Sequence, residues 1–218
     1  ATRSAAAVAA LGDSITAGVR SQENANRRWT DTLATRLRRA DLDLGVLNLG
    51  ISGNRLLTGF EEPTGRAGDS AHSGPSGLRR LHRDALGHAR VRHLITLLGV
   101  NDLGRDPGTT ADDLIAGHRE IIARGRAAGV RVLGGTLLPM AGAPRAYDTA
   151  ANQVERDRFN AWMRMAGEYD GVIDFDAAVR DPADPRRLLP AYDCGDHLHP
   201  NDAGMAALGA AVPLRLLA

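Results

Sequence analysis

Ser14, Asp196 and His199 are residue types that together can move an acyl group. A Ser hydroxyl is a weak nucleophile until a neighbouring base takes its proton, and the base works best when a third group fixes its tautomer. Asp196 and His199 stand three residues apart. In a helical turn that spacing sets a carboxylate beside an imidazole, so Asp196 would accept from Nδ1–H and leave Nε2 for Ser14. Such chemistry also needs donors aimed at the oxyanion that develops in the transition state. Ser14 N–H at a helix start, Gly53 N–H in a loop and the Asn101 side chain could supply three. Glycine at 53 matters because a missing Cβ lets the backbone approach a substrate.

Each residue also has an ordinary structural reading. Ser14 in a strand-to-helix turn can be a cap, Gly53 a turn glycine, Asn101 a brace for its own loop, His199 a half-exposed loop residue and Asp196 the start of a turn. Their joint placement at the ends of successive elements is what favours chemistry. Asp13 and Asp102 read as loop-bracing neighbours, and Cys194 as a passive small residue rather than a nucleophile. Asp193, Asp196, His197 and His199 are metal-ligand types, but they crowd into seven residues without a distant partner, which argues against a metal. His72 and His82 carry no motif.

The elements that must position these side chains alternate along the chain. Ala6–Leu11 is an apolar run closed by Gly-Asp-Ser and reads as a buried first strand. Arg28–Ala40 places Trp29, Leu33 and Leu37 on one helical stripe, and Val46–Leu49 makes a second strand. A long loop from Gly50 to Pro75 precedes a helix capped by Ser76 and carrying Leu78, Leu81 and Leu86. Val91–Leu98 predicts a third strand. Thr110–Ala128 predicts a helix with Thr110 and Asp113 as capping pair and Gly129 as its stop. Val130–Leu138 is a fourth strand, Ala151–Tyr169 a helix marked by Val154, Phe159, Trp162 and Met165, and Gly171–Phe175 a fifth strand. A Pro-punctuated loop over Asp181–Pro200 leads to a last helix from near Asn201 toward Leu216. This alternation, without repeat or linker, predicts one α/β domain over residues 1–218 with a parallel sheet and helices on both faces. In such sheets, loops beyond the carboxyl ends of strands carry the site, and Ser14, Gly53 and Asn101 lie there.

Composition removes other classes. All 27 basic residues are Arg, so Schiff-base chemistry, a pyridoxal anchor and a phosphate-loop Lys are excluded. The net charge is +1 and the arginines are scattered, which gives nucleic-acid binding little support. With 43% hydrophobic and 24% charged residues the chain has the balance of a globular protein, not a disordered one. A single Cys cannot make an internal disulfide. No stretch approaches the ~20 apolar residues of a membrane span, and Ala1–Ala10 lacks the tripartite pattern of a secretory signal.

Gly12-Asp13-Ser14, Gly53-Asn54, Gly99-Val100-Asn101-Asp102 and Asp196-His197-Leu198-His199-Pro200 resemble, in order, the four sequence blocks of SGNH (GDSL-type) hydrolases. The resemblance spans almost the whole chain. It implies a three-layer α/β/α, flavodoxin-like five-stranded parallel sheet of order 2-1-3-4-5, with neither metal nor cofactor. It implies Ser14 as nucleophile and first oxyanion donor, Gly53 and Asn101 as the other donors, His199 as base and Asp196 as its orienting acid. Ala25-Asn26-Arg27-Arg28-Trp29, Gly53-Asn54-Arg55-Leu56-Leu57 and Leu188-Leu189-Pro190-Ala191-Tyr192 are similar to an acylhydrolase and arylesterase subgroup associated with xylan breakdown. That likeness implies acetyl or other short acyl esters, small or carried on plant polysaccharide, and a secreted protein. Eight aromatic residues and no evident apolar lid also favour short acyl chains. No Gly-x-Ser-x-Gly elbow occurs, which disfavours the α/β-hydrolase alternative. An acyltransferase sharing the acyl-serine, and a non-catalytic carbohydrate-binding protein on the same fold, are the rival readings.

Overall fold

Each strand is a short apolar run that stops where glycine or a capping side chain takes over the backbone. The computed structural model describes residues 6–59, 73–144 and 146–218. Its strands are β1 (Ala6–Gly12), β2 (Leu44–Gly50), β3 (Val91–Leu97), β4 (Arg131–Gly135) and β5 (Gly171–Ile173). They pair in parallel in the order β2-β1-β3-β4-β5, as the resemblance implied. Helices α1 (Ser14–Ala17), α2 (Trp29–Arg39), α3 (Gly77–Leu81), α4 (Val100–Arg105), α5 (Ala111–Ala127), α6 (Ala150–Met165), α7 (Phe175–Val179) and α8 (Asp202–Ala211) complete the three layers. His72 and residues 60–72 of the long loop lie outside the described residues.

Strand β1 lies inside the sheet and is buried on both faces, which is why it reads as a continuous apolar run and not as an alternation. Val8, Leu11, Leu94, Ile95, Val132 and Leu133 meet Trp29, Leu33 and Leu37 of α2, Leu114 and Ile121 of α5, and Phe159 of α6 in one hydrophobic cluster. Each such side chain contributes roughly 1.5–3 kcal/mol of burial. Thr110 and Asp113 form the expected capping box of α5, and Gly129 follows it in the left-handed region at φ 69°. Ser76 caps α3 through Arg79 N–H, and the chain then runs on through a π-type turn, His82–Leu86.

Four expectations need correction. The fourth strand ends at Gly135 and not Leu138, because the Asn160 side chain takes both backbone groups of Leu137 and Arg156 Nε donates to Leu138 O. The fifth strand stops at Ile173, because Asp174 caps α7 instead of extending the sheet. Val154 and Met165 face solvent. The buried face of α6 runs through Arg156, Phe159, Asn160 and Met163, two of them polar, so apolar periodicity misplaces the stripe. The final helix ends at Ala211, and only a 3₁₀ turn, Leu214–Leu216, follows Pro213.

Candidate active site

The turn after β1 is tight enough to exclude a side chain at Gly12, whose Cβ would lie 2.1 Å from Thr16 Oγ1. Asp13 Oδ1 accepts from Ile15 N–H at 2.9 Å and caps α1. Ser14 is therefore the first residue of α1, where backbone N–H groups have no intrahelical acceptor. Burial pushes the Asp13 carboxyl up to about 7, against the Ile15 N–H and with the Asp102 charge adding to the rise.

His199 comes from the other end of the chain. Asp196 Oδ1 accepts from Leu198 N–H at 3.0 Å and His199 N–H at 2.8 Å, while Oδ2 accepts from His199 Nδ1–H at 2.8 Å. The three-residue spacing works through this Asx-type loop turn, with His197 at φ 61°, and not through the helical turn expected from sequence. His199 Nε2 lies 2.9 Å from Ser14 Oγ. With Nδ1–H given to Asp196, Nε2 presents its lone pair to the Ser14 hydroxyl. Burial raises the Asp196 carboxyl, but the His199 and Leu198 N–H groups and the imidazole outweigh it and hold the group far below the usual carboxylate range. Asp202, at the start of α8, accepts from Gln22 N–H at 2.7 Å and Arg27 Nη1 at 3.0 Å, which ties the histidine loop to the segment after Ser14.

The third group of residues surrounds the loop after β2. Gly53 has φ +76°, and a Cβ there would lie 2.7 Å from Ser73 Oγ and 3.1 Å from Arg105 Nη1. Asn101, in the first turn of α4, donates from Nδ2 to Asn54 O at 3.0 Å and accepts at Oδ1 from the Tyr147 hydroxyl at 2.8 Å. Next to it, Asp102 accepts from Leu56 N–H at 2.8 Å and Leu57 N–H at 2.9 Å. Burial pushes Asp102 up to about 7 in spite of those two donors. The buried Arg80 guanidinium donates to Gly12 O at 2.9 Å, Leu49 O at 2.8 Å and Asn54 Oδ1 at 3.0 Å. It thus joins the ends of β1 and β2 to the Gly53–Asn54 loop.

Ser14, His199 and Asp196 form one hydrogen-bonded line, and Asn101 is bonded to the residue after Gly53. Arg80, Tyr147 and Arg105 are the neighbours that sequence reasoning missed. Arg80 is one of 27 arginines and Tyr147 stands in a loop, so neither carries a sequence signal. Asp193, Cys194 and Asp196 bring ligand-type atoms within 4.8 Å of one another, but each carboxylate already holds an imidazole, Asp193 that of His197 at 2.5 Å. Burial pushes the Cys194 thiol up, which disfavours a thiolate.

Fold and geometry define a class: three-layer α/β proteins with a Ser, His and Asp line at the carboxyl edge of a parallel sheet. Within it, the chain belongs to the GDSL-like lipase/acylhydrolase family, whose model matches residues 10–207, and it is accordingly a hydrolase by family. Its fold is shared with the aryl esterase of M. smegmatis, at 20% identity and TM-score 0.71, covering 95% of this chain and 96% of that one. A carbohydrate acetylesterase family member from Sinorhizobium meliloti is similar at 19% identity and TM-score 0.71, covering 95% of each chain. A GDSL-like lipase from Bacteroides thetaiotaomicron is similar at 17% identity and TM-score 0.68, covering 97% of this chain and 87% of that one. No curated protein matches the sequence. None of the described helices is long and apolar enough to cross a membrane.

Proposed function

We propose that the protein is a serine carboxylic-ester hydrolase that works through an acyl-serine on Ser14 and takes esters of short acyl, above all acetyl, or aryl groups. The observation that carries this reading is the unbroken line from Asp196 Oδ2 through both ring nitrogens of His199 to Ser14 Oγ. Ser14 Oγ attacks the ester carbonyl carbon as its proton passes to His199 Nε2. The resulting oxyanion is met by Ser14 N–H, Gly53 N–H and Asn101 Nδ2. The carbon–oxygen bond to the alcohol then breaks, and the alcohol leaves with the proton from Nε2. Water attacks the acyl-serine with His199 again taking a proton, which returns to Ser14 Oγ as the acid departs.

Short acyl groups fit a chain with eight aromatic residues. Proteins of the same fold include an aryl esterase and a carbohydrate acetylesterase family member, which is why aryl acetates and acetylated sugars head the substrate list. With the subgroup-like segments around Trp29, Gly53 and Tyr192, we infer O-acetyl groups of plant polysaccharide as the natural ester, and hence an exported protein.

Ser14→Ala is expected to reduce p-nitrophenyl acetate turnover by at least about 10³-fold with the fold intact by circular dichroism. An unchanged rate removes Ser14 from the mechanism. Across acetylated xylan, aryl acetates and dodecanoyl esters, the first two are expected to be cleaved faster, and a preference for dodecanoyl contradicts the short-acyl assignment.

A further inference from the structure

An asparagine is an effective oxyanion donor only if its amide faces the right way. Oxygen and nitrogen are almost isosteric, and a half-turn about the last torsion presents a lone pair where an N–H is needed. At Asn101 the Asn54 carbonyl accepts from Nδ2 at 3.0 Å and would repel Oδ1 in that position. The partner on the other side, the Tyr147 hydroxyl 2.8 Å from Oδ1, could by itself either donate or accept. Arg105 weights the choice toward donation, since its Nε donates to the Tyr147 oxygen at 3.1 Å and so occupies a lone pair there. A guanidinium has no acceptor, so the phenol takes a hydrogen from Arg105, and with Nδ2 held by Asn54 O its own hydrogen turns to the acceptor-only Asn101 Oδ1.

Helix α4 builds this arrangement from local spacing. Asn101, Gly104 and Arg105 are i, i+3 and i+4, and so share one face. Gly104 lets the tyrosine in, because a Cβ there would lie 2.1 Å from Tyr147 Cδ1. The Arg105 guanidinium also reaches over Gly53, with Nη1 3.1 Å from where a Cβ would stand. Among the described residues Arg105 makes no ion pair, so the phenol is its one hydrogen-bond acceptor.

From this geometry we propose that Tyr147 and Arg105 are positioning residues that lock the Asn101 amide with Nδ2 toward the developing oxyanion, and that they polarise it through the chain Arg105 to Tyr147 to Asn101. The proposal rests on the reading of Asn101 as an oxyanion donor. A donor used in the transition state raises kcat and leaves substrate binding almost untouched.

The test is a double-mutant cycle on p-nitrophenyl acetate hydrolysis by the full chain. Tyr147→Phe keeps the ring against Gly104 and is expected to lower kcat about tenfold with KM changed less than about twofold. In an Asn101→Ala background the same change is expected to cost less than about twofold, because no amide is left to orient. Arg105→Met, at an exposed side chain, is expected to lower kcat severalfold, again only while Asn101 is present. Losses that multiply across the two backgrounds would reduce Tyr147 to a packing residue and overturn the lock. So would a Tyr147→Phe kcat within about twofold of the parent beside an Asn101→Ala loss of about 100-fold. An Asn101→Ala enzyme as fast as the parent would instead remove the oxyanion reading, and the lock with it.

Discussion

Asp196 has two duties, and its two oxygens divide them. Oδ1 shapes the turn through Leu198 and His199 N–H, while Oδ2 holds the His199 tautomer. Asn at this position keeps one oxygen, and its amino group would meet Nδ1–H donor to donor, turning the imidazole to the wrong tautomer. Asp196→Asn is accordingly expected to lower kcat by about 10²–10⁴-fold with KM little changed, measured on p-nitrophenyl acetate. A loss below about tenfold would show that the loop backbone alone orients His199. The residue types and order of the line were legible in the sequence because His199 and Asp196 lie close together and the four blocks recur in order. The turn was not, since an i, i+3 spacing fits both a helix and an Asx turn. Asp13 and Asp102 were legible as braces, and in the structure Asp13 accepts from one backbone N–H and Asp102 from two.

At the scale of elements, legibility followed the chemistry of the ends. Thr110, Asp113 and Gly129 mark α5 because caps are local, and β1 is plain because five of its seven residues are buried. Helix α4, from Val100, and helix α7, from Phe175, were hidden, each being one to two turns long and too short for periodicity. The end of β4 was hidden because Asn160 replaces the sheet's hydrogen bonds from 23 residues away. Arg80 is the element-scale counterpart, a side chain on α3 that fastens the ends of two strands. Arg80→Met would strand Gly12 O, Leu49 O and Asn54 Oδ1 without their donor. It is expected to cost about 3 kcal/mol or more in urea unfolding. A cost under about 1 kcal/mol would mean that the strand ends hold without it.

Across the whole molecule, the parallel order turns at β1, which has β2 on one side and β3 on the other. Ser14 follows β1 and Asn101 follows β3, so the site sits at the crevice of that switch point, while α8 packs on α2 and brings His199 in from the C-terminal side. The same core carries a pH liability in His118, which is fully buried with Nε2–H donating to Leu98 O at 3.1 Å and Nδ1 accepting from the Tyr169 hydroxyl at 2.5 Å. Burial, partly opposed by the Leu98 carbonyl, pushes its pKa down to about 4 from 6.5. Between those values the unfolded chain takes the proton first, so the stability of the neutral form is present above pH 6.5 and lost as pH falls toward 4, roughly 3 kcal/mol in all. Asp13 and Asp102, raised to about 7, act in the opposite sense, their contribution being present below pH 3.8 and lost as pH rises through 7. Urea unfolding of the parent and His118→Leu should therefore show a stability difference that shrinks on going from pH 6.5 to 4, and a constant difference would mean that His118 does not titrate with folding. The most direct measurement of the mechanism is mass spectrometry of protein quenched in acid during turnover of p-nitrophenyl acetate. One acetyl group on the peptide containing Ser14, absent from Ser14→Ala, is the expected result. An acetyl group on another residue, or rapid turnover with Ser14 never modified even at the earliest quench times, would contradict the acyl-serine route.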